Sequence, residues 1–170
     1  MREHANRMRL DFPFESNQYV NTAFLNEAKI LTKVGGIIYK REFIGELLGT
    51  FMMVLFGCGS VAVSVLFDAH QGLFQIAMIW GIGVSLAIYA TRHLSCAHLN
   101  PAVSLAMVTS RRMTIKKLPT YLFAQFIGAF LAGLVLYLLF HPSIAAFENA
   151  RQVLRGTEES MAIAKMFGEY

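Results

Sequence analysis

From residue 43 onward, hydrophobic positions run in long blocks and polar positions are confined to the gaps between them. The first block, Phe43 to Phe67, has Glu46 as its single charge. The second, Leu73 to about Thr91, contains Gln75 and no charge, and the third, Leu118 to Phe140, contains Gln125 and no charge. A helix needs roughly 20 apolar residues to cross a hydrocarbon core about 30 Å thick, so the blocks predict three membrane-spanning helices over 43–67, 73–91 and 118–140. Between the second and third lies a different piece, about 94–109, apolar but short and interrupted by His98, Asn100 and Pro101. Asn100 is a good helix N-cap and Pro101 suits a first helical turn. A helix from Pro101 to Thr109 would be about 13 Å long, roughly half the hydrocarbon core. That pattern predicts a re-entrant loop followed by a half-helix.

Residues 1–42 are polar, mixed and basic. They lack the compact basic, apolar and small-residue order of a cleaved signal peptide. Asp11 to Phe14 and Asn17 to Asn21 read as loop. Thr22 to Ile38 reads as a short surface helix, weakened by Gly35-Gly36.

Composition agrees with a bilayer and excludes other classes. Of 170 residues, 55% are hydrophobic and 15% charged, against about a quarter charged in soluble domains. Mean hydropathy is +0.48. A soluble globular domain and a disordered chain are both excluded. Two cysteines without a C-x-x-C pair exclude a disulfide-stapled fold and a zinc ribbon. Thirteen glycines suit helices that pack closely in lipid, at Gly45-x-x-x-Gly49, Gly57-x-Gly59, Gly81-x-Gly83 and Gly128-x-x-x-Ala132. The net charge of +4 resolves into position. Arg2, Arg7, Arg9, Lys29, Lys33, Lys40 and Arg41 precede the first span, and Arg92, Arg111, Arg112, Lys116 and Lys117 lie between the second and third. The link Asp68 to Gly72 has no Lys or Arg. The positive-inside rule then places 1–42 and the re-entrant region in the cytoplasm. Residues 141–170 become an extracytoplasmic loop or tail, whose Arg151, Arg155 and Lys165 are balanced by Glu148, Glu158, Glu159 and Glu169. Basic residues that flank spans instead of forming one patch give no nucleic-acid footprint.

Two features carry chemistry. A re-entrant loop exposes backbone N–H and C=O groups at membrane depth, which is tolerated only where protein buries them or a wet cavity receives them. His93 to Ser104 therefore suggests a pore or binding cavity, with the positive dipole end of the half-helix at Asn100 set against protons and other cations. The other reading is an ordinary loop before a short amphipathic helix. Glu46, a carboxylate at membrane depth, costs on the order of 2.5–3.5 kcal/mol on insertion scales and should face the protein interior. A proton-relay acid is its alternative, but the spans offer no second acid and no Lys. His93, Cys96 and His98 cluster on a short loop without helical pairing, a weak metal signal. No metal and no cofactor are expected. Cys58, inside the first span, reads as packing.

Ser95-Cys-Ala-His-Leu-Asn-Pro-Ala-Val-Ser104 closely resembles the first Asn-Pro-Ala loop of the aquaporin (major intrinsic protein) family. Glu46-Leu-Leu-Gly-Thr50, Ile79-Trp-Gly-Ile-Gly-Val84 and Ala124-Gln-Phe-Ile-Gly-Ala-Phe130 match further motifs of that family in order and spacing. The resemblance covers Glu42 to about Tyr170 and matches the first of the family's two inverted halves. It implies an all-α membrane protein with three transmembrane helices and one re-entrant half-helix, half of a six-plus-two fold. Trp80 resembles the aromatic wall of the selectivity filter in the glycerol-facilitator branch, where a flat indole gives a polyol's carbons an apolar surface. The other reading of Trp80 is packing between helices. The filter's arginine belongs to the second half, and Arg92 does not replace it.

The resemblance assigns pore-lining carbonyls to Cys96, Ala97 and His98 and midplane hydrogen bonding to Asn100 within Asn100-Pro101-Ala102. Support of the loop falls to Glu46 and Gln125. Cys96 departs from the family's usual glycine, and a thiol facing water there would be open to mercurials. The implied function is passive passage of glycerol, small uncharged solutes and water. No chemical turnover is expected. The implied setting is a homotetramer in the lipid bilayer of the plasma (inner) membrane. Two other readings stay open: a non-conducting fragment or accessory membrane subunit, and a membrane enzyme or metal-dependent redox protein resting on the His and Cys cluster alone.

Overall fold

The computed structural model describes residues 16–70 and 72–168, with side chains from Leu25 onward except those of Ala28, Leu31 and Val34. The described residues fall into two units parted between Ile38 and Tyr39, and the second holds all the contacts that follow. Every element among the described residues is helical.

Helix α1 runs Ser16–Phe67. The loop expected at Asn17 to Asn21 is helix, and Gly35-Gly36 does not interrupt the ladder. Two glycines cost about 2 kcal/mol of helix propensity together. A break would instead strand several N–H and C=O groups at the edge of an apolar run, which costs more. The expected loop at Asp11 to Phe14 lies outside the described residues. Helix α2, Leu73–Ser95, ends where Cys96 turns left-handed (φ 68°) and donates its N–H to the Arg92 carbonyl at 3.2 Å. Helix α3, Pro101–Thr109, starts at the Asn100 cap with proline in its first turn. A 3₁₀ turn, Ile115–Lys117, leads into α4, Leu118–Arg151.

Helix α4 continues past Pro142, so the segment expected as a loop from His141 opens as helix. A proline removes one intrahelical hydrogen bond, and the apolar turns on either side hold the rest of the ladder. A second 3₁₀ turn, Glu158–Ser160, and the short α5, Met161–Ala164, bring the chain back onto the bundle. There Ile163 and Met166 join Ala62 and Ile144 in a buried apolar cluster.

Among the described residues, three segments are long and apolar enough to cross a membrane: Gly35–Phe67, Leu73–Ser95 and Ile115–Arg151. Large side chains on α2 and α4, among them Leu73, Phe74, Phe126 and Phe130, are exposed, as lipid-facing positions are. In lipid, helices associate by close contact and not by hydrophobic expulsion from water. Gly128 of α4 lies against the Leu47 carbonyl and the Phe51 backbone N of α1, leaving no room for a Cβ. A Cβ on Gly45 would come within 2.7 Å of Leu94. Gly57 faces the Trp80 indole and Gly83 faces Phe56. Gly81 departs from the expected pattern, since nothing lies within 4 Å of its Cβ position. It points away from the α1 contact that its neighbour Gly83 makes.

Candidate functional site

The turn from α2 to α3 carries the site. Cys96, Ala97 and Leu99 adopt positive φ values of 68°, 51° and 53° without being glycine. Each such residue costs roughly 1–2 kcal/mol, so something must hold them. Glu46 does. Its side chain is fully buried on α1. Oε1 accepts the His98 N–H at 2.9 Å and Oε2 accepts the Leu99 N–H at 2.8 Å. Gln125 of α4 donates Nε2 to the same Oε2 at 2.7 Å and to Ser104 Oγ at 3.0 Å. A carboxylate receiving three charge-assisted hydrogen bonds is a sound way to bury that charge.

Further bonds close the turn from other sides. Tyr121 donates its hydroxyl to the Ser95 carbonyl at 2.7 Å, and its ring packs on His98 with centroids 4.9 Å apart. Ser95 Oγ accepts the Ala97 N–H at 3.2 Å. His98 Nδ1 and Ser104 Oγ are 3.2 Å apart. Asn100 Oδ1 accepts the Ala102 N–H at 2.8 Å, which leaves its Nδ2 hydrogens outside that cap. Asn100, Pro101 and Ala102 are exposed together at the end of α3, where the helix dipole amounts to about half a positive charge. His98 and Leu99 both turn their N–H groups to Glu46. Among the described residues no N–H or O–H donates to the carbonyls of Cys96, Ala97 or His98.

The bundle beneath the turn is pinned by polar contacts between helices. Lys117 pairs with Glu42 at 2.6 Å, and Arg41 donates to the His93 carbonyl at 3.3 Å. The thiol of Cys96 is free and exposed, and Cys58 is free and half-buried. His98 spends its Nδ1 on Ser104, and His93 and Cys96 do not join it in a ligand set.

Trp80 stands apart from the turn, two-thirds of a helix away along α2. One side of its indole lies against Gly57 of α1. The residue also borders an open cleft of about 710 Å³, shared with Val61, Ala77, Lys165 and Gly168. Packing and lining thus coexist in one side chain.

The structure brings Glu46, Gln125, His98 and Asn100 into one bonded unit with the Asn-Pro-Ala segment. It adds two residues that the sequence did not single out. Ser104 is fully buried and bonds to both Gln125 and His98. Tyr121 holds the last carbonyl of α2. A serine in a half-helix and a tyrosine near a helix start are common, and nothing local marks them. Their spacing offers the only hint: Ser104 lies four residues beyond the Asn100 cap and Tyr121 one turn before Gln125.

Residues 34–168 match the family described as Major intrinsic protein. The glycerol uptake facilitator protein of Pseudomonas aeruginosa is 42% identical over 129 residues, covering 76% of this chain and 46% of that protein. The glycerol uptake facilitator protein of Haemophilus influenzae is 41% identical over 131 residues, covering 77% of this chain and 50% of that protein. The propanediol uptake facilitator of Citrobacter freundii is 39% identical, with 77% of this chain and 49% of that protein covered. Among solved structures, the aquaglyceroporin from Plasmodium falciparum superposes with a TM-score of 0.61 at 38% identity, over 64% of this chain and 45% of that one. The chain therefore spans about half the length of the curated relatives it matches. Matched along most of its own length, and built around a half-helix clamped by a buried glutamate, this chain belongs to the major intrinsic protein family.

Proposed function

We propose that this chain supplies one pore-lining half of a passive membrane channel for glycerol, other small uncharged solutes and water. The observation that carries this reading is the turn Ser95–Asn100. The N–H groups of His98 and Leu99 are spent on Glu46 and that of Ala97 on Ser95, so the carbonyls of Cys96, Ala97 and His98 are left as acceptors leading to the Asn100 amide. A polyol or a water molecule needs acceptors for its hydroxyls and a donor for its oxygen, and both are present in that row. The positive end of α3 beside Asn100 disfavours cations at the same point. Trp80 supplies an apolar wall for the carbons of a polyol. Likeness to relatives described as glycerol and propanediol uptake facilitators supports the same solute class. Nothing in this site calls for bond-making chemistry, and transport down a gradient is the activity proposed.

The Lys and Arg distribution supports an N-terminus on the cytoplasmic side and the Phe67–Leu73 link on the outside. The plasma (inner) membrane and a homotetramer complete the reading. Stopped-flow glycerol and water flux in proteoliposomes tests it, using the protein as its gene encodes it and the present chain alone. Flux of the encoded protein above that of empty liposomes, lost in Glu46→Ala, is the expected result. Correctly inserted protein that never exceeds empty liposomes would replace the channel with an accessory membrane subunit.

A further inference from the structure

The cleft beside Trp80 carries a charge that the solute pathway described above does not use. Its walls come from α1 at Val61, from α2 at Ala77 and Trp80, and from the returning tail at Lys165 and Gly168. Lys165 is exposed, yet its place is set by its neighbours. Ile163 on one side and Met166 on the other are both buried against Ala62 and Ile144. With two anchors in the core, the residues between them have little freedom, and Lys165 is held as one of the residues that line the cleft. Among the described residues no ion pair holds its ammonium, and none of those that line the cleft is Asp or Glu. A cation against low-dielectric walls projects a stronger field into a cleft than the same group on an open surface.

We propose that Lys165 is a charge-selecting residue at the mouth of the solute path: its ammonium turns away cationic solutes such as protonated amines and leaves neutral polyols free to reach Trp80. This rests on the reading of the cleft as the outer entrance of a channel. Placed there, Lys165 acts before the half-helix dipole at Asn100, so cation rejection starts at the entrance as well as at mid-depth.

The test measures potential in the cleft directly. Ala77→Cys, in a chain carrying Cys58→Ala and Cys96→Ser, is reconstituted in liposomes. It is treated from outside with two membrane-impermeant methanethiosulfonates of similar size, one ending in trimethylammonium and one in sulfonate. The Cys thiolate forms a mixed disulfide with the reagent and displaces methanesulfinate. With Lys165 present, the sulfonate reagent reacts faster. Lys165→Glu reverses the preference, changing the ratio of the two rates on the order of tenfold, and Lys165→Arg keeps the original preference. A ratio indifferent to the charge at position 165 overturns the proposal, as does a thiol that reacts only after the liposomes are opened. Glycerol flux on the same preparations separates the two levels. Absent flux with an intact charge preference removes the channel reading and leaves the electrostatic one standing.

Discussion

Helix α2 meets the rest of the protein in two different ways at its two ends. Around Ser95 the contacts are directional: a hydroxyl from Tyr121, a carboxylate from Glu46 on the following turn, and a guanidinium from Arg41 on the His93 carbonyl. Around Trp80 the helix packs by shape, indole on Gly57 and Phe56 against Gly83. Hydrogen bonds in a low-dielectric interior fix atoms to tenths of an ångström, and an orphaned partner is costly there. Apolar packing fixes a surface and lets it adapt. The first end therefore holds the backbone of the turn in one geometry, as the proposed row of carbonyl acceptors requires. The second leaves the surface around Trp80 adaptable, as the proposed apolar wall allows.

The largest break in this comparison is Glu46→Ala. It strands the His98 and Leu99 N–H groups and the Gln125 amide, each costing about 1–3 kcal/mol when buried unpaired. The left-handed residues of the turn lose their clamp at the same time. Loss of a monodisperse folded species in detergent, with flux at the level of empty liposomes, is expected. A Glu46→Ala protein that melts within a few degrees of the parent and still conducts would show that the clamp does not hold the turn.

Gly128→Ala comes next. Its Cβ would meet the Leu47 carbonyl, a rigid backbone atom, and overpacking of this kind costs about 1–3 kcal/mol. A clear drop in Tm is expected. Gly133→Ala, five residues on in the same helix with nothing within 4 Å, serves as the control. Its Tm should hold or rise, because alanine is the better helix former.

Trp80→Ala tests the adaptable end. The glycerol-to-water flux ratio should change several-fold while Tm moves far less than for Glu46→Ala. A Tm loss as large as that of Glu46→Ala would make Trp80 chiefly a packing residue. The smallest effect belongs to Cys96→Gly. Relief of a left-handed backbone, less the entropy of a glycine, should stabilise by up to about 1 kcal/mol. The same change should abolish any block of flux by an external mercurial.

Much of the fold could be read along the chain. Apolar blocks with at most one charge locate the spans because lipid admits little else, and Asn100-Pro101 marks the start of α3 because cap and first-turn proline are local signals. Element ends were harder. α1 starts at Ser16 and α4 passes Pro142 to Arg151, both beyond the apolar blocks. A polar helix extension and a polar loop have similar composition, and a membrane-edge helix tolerates a proline or two glycines that would end a shorter one. Within the site, Glu46 stood out because a lone carboxylate in an apolar run needs an explanation. Ser104 and Tyr121 did not, since their roles come from partners on other helices.

By itself, then, the sequence determined a membrane protein with three spans, a capped half-helix and one acid that had to turn inward. These follow from the cost of charge and unpaired backbone in hydrocarbon, which acts residue by residue. The tertiary structure decided which groups meet that acid, which glycines are contacts and which are open, and that Trp80 shares a cleft with Lys165, 85 residues further along the chain. Those are pairings across helices, set by how the bundle closes, and no local pattern encodes them.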